Sequence, residues 1–209
     1  LTASMQQLGL ENTFMVTPYE EPARAERPTL RTPANTNPEN QITVDPAMQT
    51  TAREIGSLLA MIYYCTEGKG ALLAIYPEQI TPNECQQLLH YMSMDLNGFI
   101  LRAGVPPCTV VAHKHGWIDG DVGFHGTHGD AAVVESEGRH YVIVTFVYTE
   151  GWMDWTISFP FMADISRAVY NYYNQDAPYL EDVLREGIAT NTLELPETNC
   201  GELAVTNNQ

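Results

Sequence analysis

The residues best suited to chemistry cluster in Val111-Ala112-His113-Lys114-His115-Gly116-Trp117. Lys114 is one of only two lysines in the chain, the other being Lys69. At the end of a β-strand its ammonium can hold an anionic group as a point charge. Gly116 lets a ligand approach the strand backbone closely. The backbone N–H of Trp117 can then serve as an oxyanion donor. His113 and His115 flank Lys114 at strand spacing, so they share one face and Lys114 points to the other. A twist or bulge at the strand end can re-aim His115 toward a cleft.

Other groups compete for a role. His125 and His128 lie in a glycine-rich stretch near Asp119, Asp121 and Asp130. With His113-x-His115 they form a zinc-like donor set. They lack a compact His-x-His-x-Asp-His run, because Asp119 comes four residues after His115. The simpler reading of His125 and His128 is loop residues making local hydrogen bonds, with Asp130 fixing His128 or an incoming strand. Tyr148, Trp152, Trp155, Phe159 and Phe161 read as core and helix start, or as one wall of a ligand cleft.

The elements that must position these residues are legible in outline. Leu1 to Leu10 reads as a helix end with Gly9 as stop. Residues 11 to 49 show little periodicity and several prolines, a functional loop or a solvated linker. Thr51 with Glu54 fits a capping box, and Ile55, Leu58, Leu59 and Ile62 follow at helical spacing toward Gly68. Thr81, Pro82 and Glu84 give a stronger helix start, continued by Cys85, Leu88, Leu89 and Met92 and ended at Asn97-Gly98. Strands are predicted at 109–113, 131–134 and 141–148, the last two joined in an antiparallel hairpin through Ser136-Glu137-Gly138-Arg139. A long helix is predicted from about Trp155 to Tyr173. A short helix is expected at residues 179 to 186 of the acidic segment 175–209.

The four cysteines, Cys65, Cys85, Cys108 and Cys200, show no CxxC spacing. They are either buried thiols or two bridges of an oxidising compartment. If the two middle helices pack side by side, Cys65 and Cys85 meet near their linked ends. The chain of 209 residues carries 26 acidic and 10 basic residues, a net charge of -16. Such a surface is a poor binder of polyanions. A content of 44% hydrophobic residues rules out a disordered acidic tail. The longest apolar run, Tyr141 to Tyr148, falls far short of the ~20 residues that span a bilayer. The opening residues have neither the basic flank nor the apolar stretch of a signal peptide.

With these motifs in hand, the stretch from Leu8 to Asn174 resembles the C-terminal part of the serine β-lactamase and penicillin-binding-protein superfamily, in its class A-like branch. Lys114-His115-Gly116 matches the family's Lys-Thr-Gly strand motif, with histidine for threonine. Leu8-Gly9-Leu10-Glu11-Asn12-Thr13-Phe14-Met15 resembles the approach to its omega-type loop, and Thr50-Thr51-Ala52 the helix start after it. Gly104-Val105-Pro106 and the strand segments beginning at His128 and Tyr141 follow in the family's order. The resemblance implies an α+β fold, an antiparallel sheet flanked by helices, of which this chain supplies about three of five strands. It divides the chain into a C-terminal part of such a domain at 1–174 and an acidic tail at 175–209.

The departures are specific. Val111 stands three residues before Lys114 and Thr66 three before Lys69, so there is no Ser-x-x-Lys to supply the acylated serine. No Ser-Asp-Asn and no deacylating Glu-x-x-x-Asn are present. Tyr172-Tyr173-Asn174 comes after the lysine motif, in the wrong order, and reads as helix surface. The resemblance implies an upstream serine, with Lys114 and His115 orienting a substrate carboxylate, Gly116 giving access and the Trp117 N–H completing the oxyanion hole. This chain alone is then expected to be inactive. The expected partner is an N-terminal fragment of the same precursor, or another subunit, that completes the sheet. Leu1 in place of a methionine fits processing. No cofactor is implied, and the compartment is extracellular or periplasmic. A non-catalytic extracellular module and a metal-dependent hydrolase built on the histidines are the rival readings.

Overall fold

The computed structural model describes residues 1–16, 29–40, 45, 47–95, 100–118, 126–137 and 139–190. The candidate residues Asp119, Asp121, His125 and Cys200, and the helix stop expected at Asn97-Gly98, lie outside these residues. The elements run α1 (Thr2–Gln7), β1 (Phe14–Met15), β2 (Met48–Gln49), α2 (Ala52–Thr66), α3 (Ala71–Ile75) and α4 (Pro82–Ser93). After a 3₁₀ turn (Arg102–Gly104) come β3 (Val110–Ile118), β4 (Gly126–Ser136), β5 (Arg139–Thr149), α5 (Trp155–Tyr173) and α6 (Val183–Thr190). The helices at Trp155 and Pro82 start where the sequence places them. The short helix of the acidic segment is shifted to Val183–Thr190.

The two capped helices differ in one instructive way. At α4 both halves of the capping box form: Thr81 Oγ1 accepts from the Glu84 N–H, and the Glu84 carboxylate accepts from the Thr81 N–H at 2.8 Å. At α2 only half forms. Thr51 Oγ1 accepts from the Glu54 N–H at 3.2 Å, but the Glu54 carboxylate turns elsewhere. It accepts from the Asn12 N–H at 2.9 Å, from Asn12 Nδ2 at 2.6 Å and from Thr13 Oγ1 at 2.6 Å. A buried carboxylate needs several donors, and the residues before β1 supply them. Glu54 therefore ties the N-terminal segment to α2 instead of closing its own helix.

The strands β3, β4 and β5 form an antiparallel sheet in that order. Lys114 pairs with Ala131 and Ala131 with Val144. The period of two then sorts the sheet into two faces. Ala112, Ala131, Val133, Val142 and Val144 pack with Leu59, Ile62, Leu72 and Leu89 of the helices α2 to α4. The helix α2 crosses β5 at Gly56, where a Cβ would sit 3.6 Å from Val144. On the opposite face Val111, Ala132, Val134 and Ile143 pack with Tyr170 of α5 and with Leu101, Val105 and Tyr179. Burial of Tyr179 and Leu184 seats part of the acidic segment on the domain itself, helped by Arg185 bridging Asp164 and Asp182.

Cys65 at the end of α2 and Cys85 in the first turns of α4 are joined by a disulfide. Closing that connection stabilises the folded state by about 3 kcal/mol in the chain-entropy model. Cys108 is also disulfide-bonded, which overturns the alternative of buried thiols. No helix among the described residues is long and apolar enough to cross a membrane.

The tightest packing lies between the 3₁₀ turn and α5. A Cβ added at Gly104 would fall 2.3 Å from the Ala163 carbonyl oxygen and 2.8 Å from the Arg167 nitrogen, both backbone atoms. Backbone cannot swing aside, so the helix must be pushed off the sheet. Gly104→Ala is expected to destabilise the protein by about 2–3 kcal/mol, read as a lower urea midpoint with an unchanged m-value.

Candidate active site

Three features converge at the outer edge of β3, which among the described residues pairs only with β4. The first is Lys114, exposed and on the face toward α2. Its Nζ donates to the carbonyl of His115. On an antiparallel edge strand, alternate residues turn both N–H and C=O toward the neighbour or away from it. The His115 carbonyl is reached by an exposed ammonium, so it is one of the outward-facing set. Trp117, two residues on, shares that orientation, and its N–H points off the same edge. Lysine ammonium and amide N–H thus both face the space beside β3.

The second feature is a cavity of about 650 Å³ beneath Lys114. Met48, Thr50, Ile55, Leu58 and Leu59 form one side, and Gly116, Gly129, Ala131 and Phe146 the other. Gly116, Gly129 and Phe146 are direct cross-strand partners. The Phe146 ring lies over Gly129, where a Cβ would meet it at 2.5 Å. A Cβ at Gly116 would meet nothing within 4 Å. Gly129 is therefore required by its neighbour, whereas Gly116 leaves an open notch.

The third feature is a polar network behind the strand. His113 and Asp130 are both essentially inaccessible to solvent. His113 Nδ1 lies 3.1 Å from Asp130 Oδ1, and its Nε2 lies 3.3 Å from the Asp95 carbonyl oxygen. A carbonyl and a carboxylate only accept, so these two partners favour hydrogen on both ring nitrogens, the imidazolium form. Burial alone would depress its pKa, but the hydrogen bond and charge of Asp130, with Asp95 adding, raise it above the ordinary value. Asp130 Oδ2 also accepts from the Leu101 N–H at 3.0 Å. Asp130 thus fixes His113 and Leu101, not His128.

His115 behaves oppositely. Its Nδ1 lies 3.0 Å from Asp95 Oδ2, and its ring stacks on Trp117 at 4.8 Å. Burial, with the charges of Lys114 and His113, lowers its pKa against the pull of Asp95 and Asp130. The alternation expected for the strand holds: both histidine rings turn to the α5 side, away from Lys114. His128 is not a loop residue. It sits in β4, buried, with Nδ1 2.6 Å from Ser158 Oγ of α5. Among the described residues, no group of three or more histidine, cysteine, aspartate or glutamate side chains is placed to hold a metal.

The aromatic cluster departs from a core reading. Trp152, Trp155 and Phe161 are exposed. Tyr172 and Tyr173 are helix surface, while Asn174 is buried and donates to the Tyr170 carbonyl at 2.8 Å. Asp95 escaped sequence reasoning altogether. It follows α4 directly, and its partners lie about twenty residues downstream with no periodic signal to link them.

The model of the β-lactamase enzyme family matches residues 1–173. The chain belongs to that family. Its fold is that of the serine β-lactamase and penicillin-binding domains. A β-lactamase from Chitinophaga pinensis DSM 2588 is 22% identical with a TM-score of 0.61, over 83% of this chain and 54% of that one. TLA-3 extended-spectrum β-lactamase is 19% identical, TM-score 0.57, over 82% and 53%. PBP-A is 19% identical, TM-score 0.54, over 83% and 50%. The chain therefore spans about half the length of these solved structures. No curated protein matches it.

The raised pKa of His113 has a pH signature. A proton held more tightly in the folded state stabilises fully below the unfolded value of about 6.5 and is lost as pH rises through the folded value. His115, shifted down, contributes the opposite slope, so the wild-type profile is a sum. The difference between wild type and His113→Gln isolates the first. Wild-type stability relative to the variant is expected to fall as pH is raised from 6 through the folded His113 pKa. Urea unfolding at stepped pH measures it, and a pH-independent difference contradicts the assignment.

Proposed function

We propose that this protein is a portion of a serine acyl-transfer hydrolase, acting on a β-lactam, peptide or ester carbonyl. The chain supplies the substrate-binding strand, and the nucleophilic serine comes from a complementing N-terminal part. The observation that carries this reading is the edge of β3. There the Lys114 ammonium and the Trp117 N–H face one space above the open notch at Gly116. Lys114 holds the substrate carboxylate as a point charge. The His115 ring, next in the strand, lies beside the Asp95 carboxylate and stacks on Trp117. The Trp117 N–H and the nucleophile's own N–H stabilise the oxyanion as it forms.

The complementing part has places to dock. Among the described residues, β5 has a partner only on its β4 side. The apolar cavity under Lys114 would take the helix that carries the serine. Both fit a fold of which this chain spans half. Disulfide bonds favour a compartment outside the cytoplasm.

Fluorescent penicillin on the complemented protein tests the reading. Covalent labelling is expected, together with about a 10–100-fold slower rate for Lys114→Ala, the size of a lost charge-assisted contact. Gly116→Ala is expected to change stability by less than about 0.5 kcal/mol yet slow labelling, because its methyl fills the notch without touching protein. Absence of labelling defeats the enzyme reading and favours a non-catalytic module on the same fold.

A further inference from the structure

The 3₁₀ turn at Arg102–Gly104 reaches the histidine network by two arms. The Leu101 N–H, just before the turn, donates to Asp130 Oδ2 at 3.0 Å. Arg102 Nη1 donates to the Ser93 carbonyl at 3.1 Å and to the Asp95 carbonyl at 3.3 Å. That Asp95 carbonyl oxygen also lies 3.3 Å from His113 Nε2. The turn therefore touches both acids that stand beside His113 and His115. Whatever fixes the turn also fixes the strand that presents Lys114.

Two layers hold the turn. The first is α5, where Ser166 Oγ donates to the Leu101 carbonyl at 2.8 Å and Gly104 meets the helix backbone. The second comes from beyond residue 173, where the family match ends. Asn171 on α5 brackets the Tyr179 backbone. Its Nδ2 donates to the Tyr179 carbonyl at 2.9 Å, and its Oδ1 accepts from the Tyr179 N–H at 2.8 Å. The Tyr179 side chain is thereby buried in one apolar cluster with Leu101, Val105 and Val111. Leu184 of α6 is buried in a second cluster with Ala103 of the turn and Ala163 of α5. The ion pairs of Arg185 with Asp164 and Asp182 lie at the surface, where such pairs contribute little. The two apolar anchors carry the seat.

We propose that residues 175–190 are a latch, with Tyr179 and Leu184 as positioning residues. They hold the 3₁₀ turn against α5 so that Leu101 and Arg102 stay on Asp130 and Asp95. The latch acts through those two acids and touches no substrate. It holds whichever ligand Lys114 takes.

The test uses the full 209-residue chain without ligand. Amide hydrogen exchange is read by NMR at Leu101 and at Ala132, which is fully buried in the central strand. Local opening of the turn speeds exchange at Leu101 alone, whereas global unfolding speeds both. Tyr179→Ala and Leu184→Ala are each expected to raise the Leu101-to-Ala132 rate ratio about tenfold or more, given the usual cost of such truncations. Tyr179→Phe keeps the ratio within about twofold, because the ring is retained and the hydroxyl meets Glu181 only at 3.5 Å. Leu72→Ala, in the cluster on the other face of the sheet, lowers stability without moving the ratio.

An unchanged ratio in both alanine variants overturns the latch, and so does an equal rise in Leu72→Ala. If the alanine variants do not fold, Tyr179→Leu and Leu184→Val are read in their place. A several-fold rise then supports the latch, and none overturns it. Penicillin labelling plays no part in this measurement. An unchanged ratio therefore defeats the latch alone, and absent labelling defeats the acyl-transfer reading alone.

Discussion

The Asp130 carboxylate is the constraint on which the site depends. It is fully buried in the middle strand and accepts from both His113 and the Leu101 amide. A buried carboxylate left with one donor too few is costly, and removing either donor would leave it so. The carboxylate therefore holds two distant pieces of chain at fixed positions. His113 is one residue before Lys114, so fixing its ring fixes the strand that presents the ammonium. Leu101 begins the 3₁₀ turn that packs against α5 through Gly104. Asp95 closes the arrangement from outside, with its carbonyl on His113 and its carboxylate beside His115.

These partners push the pKa values of two histidines on the same face in opposite directions. His113 has acceptors at both nitrogens and is buried. Burial, with the charges of Lys114 and His113, pushes the His115 pKa down against Asp95 and Asp130. The charged form is favoured at His113 and disfavoured at His115. The threonine-to-histidine departure in the lysine motif consequently does more than replace a hydroxyl. It brings a ring that stacks on Trp117 on the α5 side of the sheet.

Much of the fold was legible because it rests on local physics. The capping residues Thr81, Pro82 and Glu84 act within one turn, and α4 starts where they stand. The β4–β5 hairpin follows from a short connection between two β-branched runs. The Cys65–Cys85 bridge followed once two helices were placed side by side. What was not legible depends on distant partners. Glu54 has the spacing of a capping box, yet its carboxylate serves Asn12 and Thr13, some forty residues upstream. His128 looked like a loop residue because its glycine-rich neighbourhood hides a strand. Trp152, Trp155 and Phe161 have core-like side chains, and only their position at the sheet end leaves them in solvent.

The sequence by itself determined the chemistry on offer and the family order of its segments. It showed a scarce lysine before glycine on a strand, no Ser-x-x-Lys to act with it, and an alternation that turns His113 and His115 away from Lys114. The tertiary structure decided what those residues do to one another. Strand pairing made β3 an edge, and only an edge strand turns the Trp117 N–H and the lysine toward open space. Partners and burial then shifted the proton affinities of the two histidines apart, because proton affinity depends on neighbours and desolvation that no spacing rule encodes.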